Sequence, residues 1–220
     1  AVCELVYAFI LDAIRPRVFL DRALDSHEWS GLRSDLVAPR QIAGSTLGVM
    51  GFGRIGRRVA RVARAFGARV LFHDLLEIPA SEWEGASPAD FGTLLAESDV
   101  VSIHVDEREA NRRLIDAEAM RLLRPDVVLV NTSRGMVMDP EALAAFLRAN
   151  AGAQALLDVH EPEPFRSDHP LLGLPNAQLA PHIGSATAPA KRAMSAVVED
   201  VWRVLCGERP RHPAPADRAV

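Results

Sequence analysis

The sequence predicts an α/β domain built on a doubly wound parallel sheet. Three observations predict it. Short apolar runs alternate with helix-patterned stretches from about residue 44 to residue 182, as strand–helix–strand units require. One strand-to-helix junction is rich in glycine: Val49-Met50-Gly51-Phe52-Gly53-Arg54-Ile55-Gly56. The residues with chemistry to offer (Gly51, Asp74, His104, Thr132-Ser133-Arg134, Asp158 and His182) follow predicted strands, and ligands of such sheets bind beyond the strands' carboxyl ends.

Residues 1–14 carry apolar side chains on most sides (Val2, Leu5, Val6, Phe9, Ile10, Ile14), which predicts a helix packed between layers, with Pro16 ending it. Residues 18–24 fit a second helix. His27-Glu28-Trp29 opens an irregular polar stretch that runs to Gly44, with Trp29 as a core plug or an interface anchor. Thr46-Leu47-Gly48-Val49-Met50 is the first strand, residues 57–66 a helix that starts near Arg54, and Arg69-Val70-Leu71-Phe72 a strand ending at His73-Asp74. After a loop, Ser87-Pro88-Ala89-Asp90 reads as a helix start with proline in its first turn, and Phe91, Leu94 and Leu95 form its apolar side. Asp99-Val100-Val101-Ser102-Ile103-His104 is a buried strand, Asp116-Ala117-Glu118 opens a helix, and Val127-Val128-Leu129-Val130-Asn131-Thr132 is a β-branched strand. Asp139-Pro140-Glu141 begins a helix with an acidic cap that ends near Asn150. Ala155-Leu156-Leu157-Asp158-Val159 and Pro175-Asn176-Ala177-Gln178-Leu179-Ala180 are the last strands. Residues 188–205 read as one long helix with Met194, Val197, Val198, Val201, Val204 and Leu205 on its apolar side, and the tail from Gly207, rich in Pro, Arg and Asp, as disordered.

The glycine junction has the order strand, turn, helix, strand, acid that a dinucleotide needs. Gly51 permits the tight turn, Gly53 lets a pyrophosphate approach the backbone, and Gly56 lets the helix lie close on the strand. The helix start near Arg54 directs free N–H groups and the positive dipole end at the phosphates. Asp74, eighteen positions after Gly56, can accept hydrogen bonds from ribose hydroxyls. It would repel a 2′-phosphate, and no Arg or Lys follows it closely, so NAD is favoured over NADP. The competing reading of the motif alone is a glycine turn in some other α/β protein.

The 220 residues carry a formal net charge of −4 with no long basic run, so nothing points to nucleic acid. Cys3 and Cys206 lie far apart and make no metal spacing, which suits free thiols in a reducing compartment. The apolar opening is broken by Asp12 and too short to span a bilayer. No membrane partner is therefore expected, and a cytoplasmic location follows by default. The chain opens with Ala inside a predicted helix, which suggests a fragment or a processed product.

Three polar features follow strands in the second half. In Asn131-Thr132-Ser133-Arg134-Gly135 an Arg at a strand end can fork onto a carboxylate, or can simply salt-bridge beside a turn glycine. Asp158-Val159-His160-Glu161-Pro162-Glu163-Pro164 holds glutamates between prolines, in an acidic loop if nothing more. In Ala180-Pro181-His182-Ile183-Gly184-Ser185 the histidine has small neighbours, and alone it would be structural.

Together, in this order and spacing, these segments resemble the D-isomer-specific 2-hydroxyacid dehydrogenases over nearly the whole chain. The resemblance implies a Rossmann-type NAD-binding domain and an oxidoreductase that interconverts a small 2-oxo acid and its D-2-hydroxy acid. It implies that Arg134 binds the substrate carboxylate and polarises the carbonyl, that His182 is the acid/base, and that Glu163 pairs with it. A neighbouring carboxylate stabilises an imidazolium and fixes its tautomer; Glu161 is the runner-up for that role. It further implies cofactor contacts from Gly51, Gly53, Arg54, Ile55, Gly56, Asp74, Val105, Thr132, Ser133, Arg134, Asp158, His182 and Gly184, with Asp158 at the nicotinamide end. Two departures stand out. The family usually has Pro and Thr after the strand-end His, where this chain has Val105-Asp106-Glu107-Arg108, placing an acidic pair near the cofactor wall. The usual aromatic after Asp-Val is His160, either lining the substrate pocket or standing partly exposed in the aromatic's place.

The family's second domain is built from a long N-terminal segment and a returning C-terminal helix. By that template residues 1–25 are a crossing helix, 26–185 the NAD-binding domain, 186–207 the returning helix and 208–220 a tail. The expectation is a cofactor domain with a catalytic triad and half a substrate cleft, forming a homodimer through the crossing helix and the arm after it. The alternative function is an NAD(H)-sensing dimerisation module of corepressor type without significant turnover.

Overall fold

The computed structural model describes residues 1–15 and 17–211; the expected break at Pro16 and the tail beyond residue 211 lie outside them. Seven strands form one parallel sheet in the order β3-β2-β1-β4-β5-β6-β7. They are β1 (Thr46–Met50), β2 (Arg69–His73), β3 (Ser87–Pro88), β4 (Val100–Ile103), β5 (Val128–Asn131), β6 (Gln154–Leu157) and β7 (Ala177–Leu179). Strand order reverses between β1 and β4, whose register pairs Leu47 with Val100 and Met50 with Ile103. This switch point opens a crevice beyond the strand ends, where Gly51 and His104 stand.

Strand side chains alternate between two faces, and each face has its own core. On one, Leu47, Val49, Val70, Phe72, Val128 and Val130 pack with helices α1 (Val2–Ile14) and α3 (Arg54–Ala65). On the other, Met50, Val101, Ile103, Leu129 and Leu157 pack with α4 (Phe91–Glu97), α5 (Ala117–Leu122) and α6 (Pro140–Ala149). Helix α1 buries one face, Cys3, Val6, Tyr7, Ile10 and Ile14. The Tyr7 hydroxyl donates to the Val59 carbonyl at 2.5 Å, which ties α1 to α3.

Four elements differ from the sequence-based expectations. Residues 18–24 form no helix: Val18, Phe19 and Leu20 are exposed and have no face to bury. The helix falls instead in the stretch expected to be irregular, as α2 (Ser26–Asp35). It buries no residue and is held by a capping box, Asp25 accepting from the N–H groups of His27 and Glu28 while Glu28 accepts from that of Asp25. Trp29 on it is half exposed, so it plugs no core of this chain. Ser87-Pro88 starts no helix. Its two residues are the edge strand β3, where a missing N–H is tolerated, and Asp90 caps α4. The expected single helix over 188–205 is two, α7 (Ala188–Ser195) and α8 (Val197–Leu205), because the ladder tightens at Ala196, whose carbonyl accepts from Glu199 only three residues on.

Among the described residues, Val2–Gly184 makes one compact unit, and residues 185–211, with Ala1, a second. In the second, Val197, Val198, Val201, Trp202 and Leu205 are exposed. Among the described residues, no helix is long and apolar enough to cross a membrane.

Candidate active site

The glycine junction is shaped by what its residues lack. Gly51 has φ +86°, and a Cβ there would lie 2.6 Å from the His104 carbonyl oxygen; a Cβ on Gly56 would run into the Gly51 carbonyl. A Cβ on Gly53 would meet nothing within 4 Å, so the turn faces open space. Gly53 caps α3 without any side-chain hydrogen bond, so the first-turn N–H groups that begin at Arg54 and Ile55 have no side-chain partner. The cleft beside this turn measures about 260 Å³ and is lined by Gly51, Gly53, Asp74, Val105 and Arg108 among others. Asp74 already serves the turn: one carboxylate oxygen accepts from Phe52 N–H at 2.6 Å, the other from Leu76 N–H at 2.9 Å. The expectation that no cation stands near Asp74 holds only along the chain, since the fold brings Arg108 into the same cleft. That guanidinium is forked onto Asp106. Burial pushes His104 down to about 4, so it stays neutral beside the turn. Thr132 Oγ is buried and has no hydrogen-bond partner among the described residues. An uncapped helix start behind a bare turn, a carboxylate ending β2 and an orphaned hydroxyl together fit a dinucleotide.

The second half of the site is knitted by side chains holding backbone. Asn131, ending β5, accepts from both the N–H and the hydroxyl of Ser133 (2.9 and 2.7 Å), and its amide donates to the Arg134 carbonyl at 3.0 Å. The turn presents Thr132 and Arg134, and the Ser133 hydroxyl is committed to Asn131. Asp158, 1% exposed, accepts from Ile183 N–H and Gly184 N–H, both at 2.7 Å. A Cβ on Gly184 would lie 2.9 Å from that carboxylate. These bonds fix the residue before them, His182, in the left-handed region at φ 53°, a conformation that non-glycine residues hold where surrounding structure dictates it. His182 Nδ1 then meets Glu163 Oε2 at 2.7 Å, while the other oxygen of Glu163 accepts from His160 N–H at 2.8 Å. Burial pushes the Glu163 carboxyl up, but the bonds from His182 and His160 outweigh it and hold the group below the usual carboxylate range.

The structure gathers Arg134, Glu163 and His182 around one cleft of about 350 Å³. Glu161 lines the same cleft, but both its oxygens accept from a single nitrogen, Nη1 of Arg112 (2.9 and 3.0 Å), while His182 bonds Glu163. His160 is buried rather than partly exposed: its Nε2 meets the Ala180 carbonyl at 2.8 Å and its ring packs edge-on against Phe165. It does line the cleft. The expected acidic pair near the cofactor wall separates. Asp106 stays at the dinucleotide cleft, whereas Glu107 reaches the second cleft and accepts from Arg134 Nε at 2.8 Å. Glu107 and Arg112 are site residues that the sequence reading did not single out; the only signal was the departure at Asp106-Glu107-Arg108.

Residues 7–184 match the family described as D-isomer specific 2-hydroxyacid dehydrogenase, NAD binding domain. The chain is 38% identical over 203 residues to the glyoxylate reductase of Thermococcus litoralis, covering 90% of this chain and 61% of that protein. The crystal structure of TT0316 protein from Thermus thermophilus aligns at 34% identity with a TM-score of 0.78, covering 97% of this chain and 68% of that one. The holo form of Rhodotorula graminis D-mandelate dehydrogenase aligns at 27% identity and TM-score 0.83, covering 98% and 65%. The chain thus spans about three-fifths of the length of the curated relatives it matches.

Proposed function

The chain belongs to the D-isomer-specific 2-hydroxyacid dehydrogenase family, and from that premise we propose that it is the cofactor-binding and acid/base part of an NAD-dependent reductase of small 2-oxo acids, glyoxylate and hydroxypyruvate being the first to try. The observation that carries the reading is the 2.7 Å contact between His182 Nδ1 and Glu163 Oε2 in the same cleft as Arg134. Arg134 binds the substrate carboxylate and polarises the neighbouring carbonyl. Glu163, ionised at neutral pH, holds Nδ1 and leaves Nε2 of His182 to give a proton to the carbonyl oxygen, and to take it back in the oxidation direction. Asp158 keeps His182 in place by holding the N–H groups of Ile183 and Gly184. Gly51, Gly53, Arg54, Ile55 and Gly56 receive the pyrophosphate, Asp74 the ribose, and Val105, Thr132, Ser133 and Gly184 flank the rest of the nucleotide. The bound NADH supplies the hydride.

A homodimer in the cytoplasm belongs to the same reading. It is supported by the exposed Val18, Phe19, Leu20 and Trp29 after α1 and by two free cysteines. Sedimentation giving a monomer at high concentration would remove the dimer.

The test is a fluorescence titration with NADH and NADPH, followed by turnover with both acids. Saturable binding that prefers NADH and weakens in Asp74→Ala, together with NADH consumption that Arg134→Gln abolishes, is the expected result. Binding without any turnover, in the chain extended to its relatives' full length, would favour the sensing module instead.

A further inference from the structure

We propose that Glu107 is a charge filter on the substrate cleft, making this site selective for 2-oxo acids with a single negative charge and disfavouring those with a second anionic group. The inference rests on the functional reading of that cleft and narrows its substrate class.

The observation is the ion pair between Glu107 and Arg134, 2.8 Å between Oε2 and Nε. A carboxylate of this chain occupies one edge of the guanidinium that is to receive a carboxylate of the substrate. Arg134 Nη1 donates to the Ser133 carbonyl at 2.8 Å, which fixes the group further. The rest of the cleft does not compensate. Its wall holds three carboxylates, Glu107, Glu161 and Glu163, against two guanidiniums, Arg112 and Arg134. Arg112 is engaged by two carboxylates, its Nη1 bonding both oxygens of Glu161 and its Nε bonding Glu109 at 2.7 Å. Glu163 is matched only by a protonated His182. An entering carboxylate therefore meets an arginine already half neutralised, and Glu107 stays beside it.

The consequence scales with ligand charge. A neutral substituent beyond the carbonyl feels no net field, whereas a second carboxylate, phosphate or sulfonate meets Glu107 a second time. Glu107 and Arg134 side chains are 63% and 48% exposed, so water and salt weaken the effect without removing it.

Oxamate and oxalate test this directly, because they have nearly the same shape and differ by one charge. Each is titrated, with NADH bound, into the chain extended to its relatives' full length, for the wild type, Glu107→Gln and Glu107→Asp. With charges a few ångströms apart in water, Glu107→Gln is expected to tighten oxamate about fivefold and oxalate about 25-fold. The gap between the two should narrow at high salt, and Glu107→Asp should keep the wild-type preference. Equal gains for both ligands would mean that Glu107 only competes for Arg134, and no gain for either would make it a bystander; each result overturns the filter while leaving the functional reading standing. Failure of the NADH-loaded wild type to bind either ligand overturns the functional reading, and the filter with it.

Discussion

The two ends of the site are built in opposite ways. The dinucleotide end, from β1 through α3 to Asp74, is made by omission: glycines where a Cβ would strike His104 or the preceding turn, and a helix start with no cap. The acid/base end is made by addition. Asn131, Asp158 and Glu163 each spend a carbonyl or carboxylate on backbone N–H groups to fix a turn. The first runs through one continuous stretch, Thr46 to Asp74, packed on His104; the second joins separate loops, with Asp158 and Gly184 lying 26 positions apart. The omission-built end should therefore fail by crowding, one residue at a time, and the addition-built end by losing a hub.

Asp158→Ala gives the largest expected effect. It strips two short, charge-assisted bonds from buried groups, at about 1.5–3 kcal/mol each, and releases the left-handed turn at His182. Thermal melting should show the destabilisation, and turnover should fall with it; a variant that melts like the wild type would show that the turn holds itself. Glu163→Gln comes next. It should cost about 100- to 10,000-fold in kcat with little change in NADH affinity, separating chemistry from cofactor binding. Its stability effect has a sign. The folded carboxyl sits below its ordinary value of 4.5, so its contribution is full above that pH and is lost as pH falls through the lower folded value. The melting-temperature gap between wild type and Glu163→Gln should be flat near neutrality and close below pH 4.5. Stability that His104 loses between its ordinary 6.5 and about 4 is common to both proteins and cancels.

At the other end, Gly51→Ala forces a Cβ into a left-handed turn, at about 1–2 kcal/mol, and against the His104 carbonyl besides. NADH affinity should drop while the acid-side melting behaviour stays as in the wild type. Thr132→Val should be smallest. Removing a hydroxyl that has no partner is close to neutral for the free protein, yet several-fold weaker NADH binding is expected if that hydroxyl faces the nucleotide. A marked loss of stability without nucleotide would show that it has a partner after all.

The same contrast explains what could be read from the chain. β1, α3, β2 and Asp74 follow from local spacing, as do the acidic caps of α5 and α6. β3 is too short to leave an alternating pattern, and α2 has no apolar face, only the Asp25–Glu28 box. In the site, Arg134, Glu163 and His182 were legible through order and family resemblance. The Asp158 brace, the Arg112–Glu161 pair and the Glu107–Arg134 pair were not, because each joins residues 25 or more positions apart through loop conformation.

Because Asp158 holds the His182 turn through the N–H groups of Ile183 and Gly184, the His182–Glu163 contact is set apart from the loop after β4, which reaches the site through Glu107 on Arg134 and Arg112 on Glu161. Residues 105–113 therefore bear on the substrate arginine and the dinucleotide cleft, and not on the His182–Glu163 pair. Exchanging that segment between homologous proteins should shift the preference among acids by resetting Arg134 while leaving His182 and Glu163 in register, so new selectivities are open to drift, or to an engineer, without rebuilding the proton-transfer pair.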